Sequence, residues 1–487
     1  MDKLNADVII KRSIRGVFTL ISRTFFLNII SLFVFLVITS VLNASQVGIY
    51  TAVIAMQRVI SFFTDFGLGA ALVQKKQKLR QIDLTTAFTI QAGITLAIFL
   101  LVFLSIDPIT VFFKLNNEAQ GLLLALVFTI FLSSFKTIPS ILLERSINFG
   151  KLVIPQIVES LTFNGILVVL VLGRYGLNSF TWAFLISSLI GVPFYYLVSP
   201  WKVRIGIDRN SLNFLKFGVQ FQAKNVLATI KDDLLTVILV RFLSFTQIGY
   251  IGFAQRLAFY VFRYVVDSIT KVTFSTYSRA QGDLVFLKKA VEKSLFFVSS
   301  SIFPILFGLI IVVPYVIKFY PNWNNKWEPA IFSVVFFCLN AAISSLSGIL
   351  VNVLDATGKV KITLRLMVIW TILVWTLTPI LINLYGYNGV SVSSFLVTTT
   401  IVYTIYLVKQ VMDFKFLPSI IKPLVSSLLM MAVVYILSGV FVKDFLSLIF
   451  VILVGGMTYL IFLFGLCGSE LKSDLARFGI KIWIKKR

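Results

Sequence analysis

The segment QIGYIGFAQRLAFYVFRYVVDSITKVTFS, residues 247–275, is a long apolar run that carries charges in its interior. Its charged residues are Arg256, Arg263, Asp267 and Lys271. Because an α-helix turns by about 100° per residue, these side chains fall within an arc of roughly 80°. Charges in a membrane span are costly, and they normally face a bundle interior or a water-filled cavity. The pattern therefore predicts a membrane-spanning helix with one wet, cationic face.

The whole chain has the composition of a polytopic membrane protein. Of its 487 residues 58% are hydrophobic, and the mean hydropathy is +0.95. We count about fourteen apolar segments of roughly 20 to 29 residues, long enough to cross a hydrocarbon core of about 30 Å. The predicted spans are residues 17–42, 47–73, 84–105, 119–143, 153–173, 178–198, 217–242, 247–275, 295–317, 329–353, 366–384, 388–408, 420–440 and 444–467. The expected fold is therefore an all-α membrane protein.

The formal net charge of +24 is distributed as in a membrane protein. With the N-terminus placed in the cytoplasm, the cytoplasmic segments hold most of the 44 lysines and arginines, and the opposite segments hold few. This is the positive-inside pattern, so we expect both termini in the cytoplasm and the chain in the cytoplasmic (inner) membrane. Most of the positive charge then contacts anionic lipid headgroups, and no nucleic-acid partner is expected.

The sequence offers no candidate for a metal or cofactor site. The two cysteines, Cys338 and Cys467, fall in separate predicted spans, where inert buried thiols are the favoured interpretation. There is no histidine, and the nucleotide-binding motif Gly-x-x-x-x-Gly-Lys-Ser/Thr does not occur. We therefore expect no cofactor, no metal and no ATP hydrolysis by this polypeptide.

An internal repeat relates two parts of the chain. The tetrad Ser45-Gln46-Val47-Gly48 recurs 201 residues later as Thr246-Gln247-Ile248-Gly249, and each tetrad links two long spans. A Gln-Arg pair follows in each copy, as Gln57-Arg58 and Gln255-Arg256. Six spans per copy place the ends of both copies on one membrane side, as in a parallel repeat. The expected domains are an N-terminal six-helix lobe with an interfacial linker at 1–210, a C-terminal six-helix lobe at 211–412, and two further helices with a basic cytoplasmic tail at 413–487.

Four segments together resemble the polysaccharide transporter family, the Wzx-type flippases of the multidrug/oligosaccharidyl-lipid/polysaccharide exporter superfamily. The segments are DFGLGAALVQK at 65–75, LLERSINF at 142–149, KWEPA at 326–330 and DATGK at 355–359. The resemblance implies two six-helix lobes around a central cavity and transport by alternating access. It also implies the cargo, a polyprenyl-pyrophosphate-linked oligosaccharide moved from the cytoplasmic to the outer leaflet for cell-surface polysaccharide biosynthesis. Polysaccharide polymerase machinery is a candidate partner.

Cations inside the predicted spans are the candidate substrate-binding groups, because Arg and Lys can replace water around a pyrophosphate. The candidate cations are Arg256, Arg263, Lys224, Arg23, Arg58, Lys231 and Lys271. The candidate ion-coupling carboxylates are Asp65, Asp232, Asp233 and Asp267. Arg23 lies near the cytoplasmic end of the first span, where the resemblance implies an arginine that contacts pyrophosphate. Transport driven by the membrane potential alone is the alternative to ion coupling.

Internal ion pairing is the alternative interpretation of these charges. Lys231 adjoins Asp232 and Asp233 in the sequence, while Arg263 precedes Asp267 by about one helical turn. A looser pair joins Arg58 and Asp65, which are two turns apart. Both interpretations stay open, since the sequence alone does not show which helices lie together.

Placements of four side chains follow from the same membrane assignment. Lys136 and Arg241 are expected to extend their charged ends to the nearest membrane interface. Trp323 and Trp327 are expected to form part of an aromatic belt at the outer interface. Each of these expectations assumes that the position of the side chain is set by the membrane interface rather than by a contact with another part of the protein.

A flippase for a lipid-linked oligosaccharide is the favoured function, with three alternatives. A cation-coupled multidrug antiporter of the same superfamily favours an acidic cavity, whereas cations dominate these spans. A membrane glycan polymerase or ligase needs a sizeable outer loop, and the longest predicted outer connections are residues 106–118 and 318–328. A structural scaffold does not need cations along one helix face. We therefore expect a transporter and not an enzyme.

Overall fold

The computed structural model describes residues 6–64, 72, 79–146, 148–208 and 229–477, and the regular structure in these ranges is helical. The chain forms two compact units, Met1–Gly249 and Tyr250–Arg487. The first unit contains α1 (Ala6–Val41), α2 (Ala44–Thr64), α3 (Gln81–Leu104), α4 (Ile106–Phe113), α5 (Asn117–Arg145), α6 (Phe149–Leu172), α7 (Asn178–Val198), a π-helical turn (Ile230–Leu234) and α8 (Leu235–Phe242).

The next helix, α9 (Phe245–Ala280), begins in the first unit and continues into the second. The rest of the second unit is also helical. It contains α10 (Leu284–Phe319), a 3₁₀ turn (Glu328–Ala330), α11 (Ile331–Ala356), α12 (Val360–Tyr385), a 3₁₀ turn (Gly386–Asn388), α13 (Gly389–Thr398), α14 (Ile401–Lys409), α15 (Phe416–Phe441) and α16 (Phe445–Arg477).

Within the described ranges, 11 helical segments are long and apolar enough to cross a membrane. They confirm the prediction of an all-α, multi-pass membrane protein. The total of fourteen spans stays a prediction. The predicted span 247–275 lies on α9, which is not among these 11 segments, and the predicted spans 366–384 and 388–408 fall in one segment, Val360–Lys409. Residues 209–228 of the predicted span 217–242 lie outside the described residues. The lobe boundaries near residues 210 and 412 also stay predictions.

The repeat tetrads mark the starts of α2 and α9, which begin 201 residues apart. The Asn43 amide donates to Gln46 Oε1 at 3.1 Å, and the Gln46 amide donates to Asn43 Oδ1 at 2.8 Å. In the second copy the Ser244 amide donates to Gln247 Oε1 at 2.9 Å, and the Gln247 amide donates to Ser244 Oγ at 3.3 Å. Each arrangement is a capping box, which satisfies amides that a helix start leaves unpaired. The glutamine of each tetrad is therefore explained by its role in capping the helix that begins there.

The glycine of each tetrad allows a close contact between the two helix starts. A Cβ atom on Gly48 would lie 1.7 Å from the Phe245 carbonyl oxygen, and one on Gly249 would lie 2.0 Å from the Ala44 carbonyl oxygen. Phe245 follows Ala44 by the same 201 residues that separate the glycines, so the contact is symmetric. Only a residue without a Cβ permits backbones to approach this closely.

Leu72, the described residue of the family-like segment 65–75, contacts Arg145 of the segment 142–149. Arg145 donates from Nη1 to the carbonyl oxygen of Leu72 at 2.7 Å. Leu72 is fully buried against a cluster that includes Phe88, Ile138 and Trp201. Leu72 and Arg145 are thus joined by a charge-assisted hydrogen bond beside an apolar core.

The predicted interfacial linker, residues 201–216, begins as an irregular strap that contacts α3. The Gly206 amide donates to Thr89 Oγ1 at 3.0 Å, and the Asp208 amide donates to Thr86 Oγ1 at 3.0 Å. Trp201 anchors the strap in the core, whereas the side chains between Lys202 and Ile205 are exposed. The remainder of the linker, from residue 209, lies outside the described residues.

The expectation that Trp323 and Trp327 form an interfacial belt is wrong. Their residues are only 1% and 0% exposed. Trp327 stacks on Phe253 with ring centroids 4.3 Å apart, and Trp323 packs edge-on against the same ring at 5.0 Å. The connection before α11 packs on α9 because its two large aromatic rings bury more apolar surface against Phe253 than they would at a membrane interface. The same folding desolvates Lys326 and lowers its pKa to about 8.

The two C-terminal helices outside the repeat belong to the core of the second unit. Met430 and Val434 of α15 and Val451 of α16 share a buried cluster with Val312 of α10. Tyr459 of α16 donates its hydroxyl to the Ser300 carbonyl oxygen at 2.7 Å. The packing makes α15 and α16 structural parts of this unit rather than loose additions.

Candidate functional site

Three of the predicted site residues lie on one π-helical turn, Ile230–Leu234. Lys231 Nζ lies 3.0 Å from Asp232 Oδ1, so the sequence neighbours form an ion pair. The Asp232 side chain is 65% exposed and the Asp233 side chain 20%, so the two carboxylates point to different surroundings. Short π-helical segments occur frequently at functional sites.

Arg58 reaches this turn from α2. Its Nη1 donates to Asp233 Oδ1 at 3.2 Å, across 175 residues of sequence. The Arg58 side chain nevertheless remains 54% exposed. Asp65, the partner considered from the sequence, lies outside the described residues. Sequence reasoning missed Asp233 as the partner because nothing local shows that α2 packs against this turn.

Arg256 and Arg263 lie on α9, which is continuous for 36 residues. Arg256 is half-buried and Arg263 is exposed. Seven residues are nearly two full turns, so both side chains leave the same face of the helix. The backbones of Asp267 and Lys271 continue this helix, but their side chains lie outside the described residues. The pairing of Arg263 with Asp267 therefore stays a prediction.

Arg23 lies on α1 and is half-buried. Its Nε is buried and has no hydrogen-bond partner among the residues that the structure describes, which is a costly state for a guanidinium donor. Lys224, which the repeat relates to Arg23, lies outside the described residues. The structure thus shows Arg23 as a cation with hydrogen-bonding capacity to spare, without placing it beside the other candidates.

The expectation that Lys136 extends to the membrane interface is wrong. Lys136 is 9% exposed, and its Nζ donates to the Glu159 carboxylate and, at 3.0 Å, to Ser188 Oγ. These groups come from α5, α6 and α7. Lys136 is nine residues from the end of α5, or about 14 Å, which exceeds the reach of its side chain. A partner on a neighbouring helix therefore replaces the distant interface.

Arg241 lies at the end of α8 and is exposed. It donates from Nη1 to the Phe112 carbonyl oxygen at 3.2 Å, and its guanidinium lies 5.3 Å from the Phe112 ring centroid. This combination of a hydrogen bond and a cation–π contact holds the charge at the end of the helix. Nothing in these contacts favours a role in binding a substrate.

Long apolar helices in two units, with charged side chains held inside them, define a multi-pass membrane protein. Its fold is similar to that of the lipid II flippase MurJ in an inward closed conformation, with a TM-score of 0.74 and 19% identity over 94% of this chain and 100% of that one. It is also similar to an inward-facing multidrug resistance MATE family transporter, with a TM-score of 0.62 and 12% identity over 79% of this chain and 95% of that one.

The chain belongs to the polysaccharide biosynthesis protein family, whose model matches residues 16–332. It is 25% identical over 362 residues to the lipopolysaccharide biosynthesis protein WzxC of Escherichia coli (strain K12), covering 69% of this chain and 68% of that one. These findings confirm the family resemblance of the four sequence segments. At such low identity the similar structures establish the fold alone.

Proposed function

We propose that this protein is a flippase that moves a polyprenyl-pyrophosphate-linked oligosaccharide from the cytoplasmic to the outer leaflet by alternating access. The observation that carries the proposal is the placement of Arg256 and Arg263 on one face of α9, a continuous helix of 36 residues. Family membership and the names of the relatives support the same class of cargo. The chain would act in surface polysaccharide biosynthesis as a transporter and not as an enzyme.

The pyrophosphate is the part of such a cargo that crosses the membrane least readily without binding groups from the protein. Moving a dianion through hydrocarbon without partners is prohibitively costly. Arginine offers a planar set of donors that can bind phosphate oxygens through two parallel hydrogen bonds. Arg256 and Arg263 are separated by about 10 Å along the helix axis, which suits successive contacts with a moving headgroup.

The other candidate residues extend this proposal. Arg23, Lys224, Arg58, Lys231 and Lys271 would supply further positive charge along the route. Coupling to Na⁺ or H⁺ would use Asp65, Asp232, Asp233 or Asp267. The membrane potential alone favours outward movement of an anion by about 2.3 kcal/mol per charge at 100 mV.

The proposed setting is the cytoplasmic (inner) membrane, with both termini in the cytoplasm, as the distribution of Lys and Arg predicts. Membrane lipids surround the apolar helices, and a polysaccharide polymerase is the proposed downstream partner. A cation-coupled multidrug antiporter is the second candidate, because the fold is also similar to that of a MATE transporter. The cationic face of α9 favours an anionic cargo over a cationic drug.

The decisive experiment replaces the two arginines of α9 separately, as Arg256→Ala and Arg263→Ala. Each variant is expressed in cells that lack the native gene, and surface polysaccharide is quantified. We expect export to fall at least tenfold, since a lost phosphate contact of this kind is worth more than about 1.4 kcal/mol. Membrane insertion and expression should remain at wild-type levels.

Arg279→Ala is the matched control, because it removes the same charge from the same helix. Arg279 is exposed and lies roughly 140° to 160° around the helix from the other two arginines. We expect near-normal export from this variant. Normal export from both Arg256→Ala and Arg263→Ala would refute the proposed role of the cationic face. Drug efflux without glycan export would instead support the antiporter.

A further inference from the structure

We propose that Asp233 is a resident counter-ion of Arg58, and that a phosphate group of the cargo takes its place. The exchange would bind the anion and, in the same step, release α2 from the π-helical turn. This inference rests on the proposed function, but it concerns a different pair of residues from the α9 face. It assigns Asp233 a role in positioning Arg58 rather than in contact with the cargo.

The geometry of Arg58 leaves room for a second anion. A single guanidinium nitrogen, Nη1, carries the 3.2 Å contact with Asp233. A guanidinium has five N–H donors in a planar fork. Because the Arg58 side chain is 54% exposed while Asp233 is 20% exposed, an incoming anion meets the arginine before it meets the carboxylate. Among the described residues, Arg58 therefore pairs with Asp233 and keeps donors for a second anion.

Four charged side chains at the turn form two ion pairs among the described residues. Arg58 pairs with Asp233 at 3.2 Å, and Lys231 pairs with Asp232 at 3.0 Å. These four side chains sum to zero formal charge, which limits the cost of keeping them within a membrane protein. A dianion that first meets the spare donors of Arg58 would repel the Asp233 carboxylate, which favours the exchange of carboxylate for phosphate. The less exposed pair, Arg58 with Asp233, is the one that joins two separate helices.

The same two parts of the fold meet at a second point. Gly48 of α2 lies against the Phe245 carbonyl at the start of α9, just beyond the end of α8. Gly48 and Arg58 are ten residues apart, or about 15 Å along α2. The glycine contact involves no charge, so an anion does not compete with it. Displacement of Asp233 would remove the ion pair between α2 and the turn, while the glycine contact at the start of α2 stays in place.

The local backbone suits such an exchange. A π-helical turn has an extra residue within the helical repeat, and it is a conformation that proteins use in short pieces, often at functional sites. Asp233 is placed opposite Arg58 by this turn, Ile230–Leu234. Reversion of the turn to a regular α-helix would rotate the carboxylate away from the guanidinium. The pair therefore depends on a local conformation that can change.

Binding of inorganic pyrophosphate to the purified, full-length protein tests the exchange. Removal of the competing carboxylate by Asp233→Asn should tighten pyrophosphate binding by roughly two- to fivefold, the size expected for a partly exposed ion pair. Asp232→Asn is the matched control, because it makes the same charge change on the same turn but leaves Arg58 paired. It should change binding by less than the Asp233 substitution.

The dependence on Arg58 separates a specific exchange from a general charge effect. Arg58→Gln should weaken pyrophosphate binding, and in the Arg58→Gln background Asp233→Asn should give no more gain than Asp232→Asn. An equal gain from both aspartate variants, or a gain that survives the loss of Arg58, would overturn the inference. Absence of pyrophosphate binding in the wild type and all variants would overturn it too.

A second measurement needs no substitution. Hydrogen exchange of the wild-type protein should speed up at residues 230–234 when pyrophosphate is added, because the turn loses its contact with Arg58. Slower or unchanged exchange there would contradict displacement. Failure of the proposed function is recognised separately: wild-type expression would then not restore surface polysaccharide in the export assay. Restored export together with unchanged hydrogen exchange at residues 230–234 would refute only the counter-ion inference.

Discussion

Lys136 shows how a single residue keeps its charge in the middle of the helix bundle. Its ammonium group bonds to the Glu159 carboxylate and to Ser188 Oγ, and the pair is largely shielded from solvent. Gly191 makes room for the carboxylate, since a Cβ atom there would lie 2.9 Å from Glu159 Oε2. Such a pair is not itself strongly stabilising, but loss of one member leaves the other as an unpaired charge.

We predict that Lys136→Met lowers the free energy of unfolding by about 3 kcal/mol, because Glu159 loses its counter-charge. The double variant Lys136→Met/Glu159→Gln should recover much of that loss, since neither charge remains. Thermal unfolding of the purified proteins measures both effects. Lys151→Met, which changes an exposed lysine on the helix of Glu159, is the control and should stay within about 0.5 kcal/mol of wild type. Equal stability of the single and double variants would contradict the pairing argument.

At the scale of helices, the start of α2 and the start of α9 show how the repeat is built. Each start is closed by a capping box, and each brings a glycine against a backbone carbonyl of the other. The capping box depends only on residues three apart. The glycine contact depends on the packing of two helices. In each tetrad the glutamine thus makes a local contact, and the glycine makes a contact between two helices.

We predict that Gly48→Ala and Gly249→Ala each destabilise the protein by about 1 to 3 kcal/mol, because the added methyl group forces the two helix starts apart. Gly121→Ala is the control: Gly121 lies within α5, and a Cβ there would meet nothing within 4 Å. Alanine at that position should stabilise its helix by up to about 1 kcal/mol. The melting temperatures of the purified variants, compared with that of the wild type, measure these changes in stability. The glycine contact would be unimportant if all three substitutions behaved alike.

At the scale of the whole chain, the two C-terminal helices are part of a folded unit although they lie outside the sequence repeat. From the sequence, α15 and α16 are additional to two copies of six spans. In the structure they complete the core of the second unit, where Val434 and Val451 pack against Val312 of α10. The Glu292 carboxylate also accepts a hydrogen bond from the Lys415 amide at 2.8 Å, which ties the start of this C-terminal pair to α10.

We predict that truncation after Met412 destabilises the second unit by more than about 5 kcal/mol, because several buried apolar side chains of α10, α15 and α16 lose their contacts. Limited proteolysis should then cleave within Leu284–Phe319, a helix that is protected in the full chain. Tyr459→Phe is the mild comparison, since it removes one hydrogen bond and should cost about 1 kcal/mol. A truncated chain as resistant as the full chain would show that α15 and α16 are dispensable for folding.

Much of this architecture follows from signals that act over a few residues. Apolar length predicts membrane-crossing helices, and a charge repeat near 3.6 residues places Arg256 and Arg263 on one face. The tetrads predict two equivalent links between spans, and the structure adds that a glutamine in each caps a helix start, three residues after its Asn or Ser partner. The spans and their charged face were predictable because hydrophobic length and helical periodicity depend on neighbours along the chain.

Partner choice came only from the tertiary structure. The Arg58–Asp233 pair spans 175 residues, and Lys136 meets Glu159 and Ser188 across 23 and 52 residues. In each case a charge could have extended to an interface or paired along its own helix. The sequence by itself determined the membrane class, the helices and their charged faces, because these are local properties. The tertiary structure decided which charges neutralise each other, because that depends on which helix faces pack together.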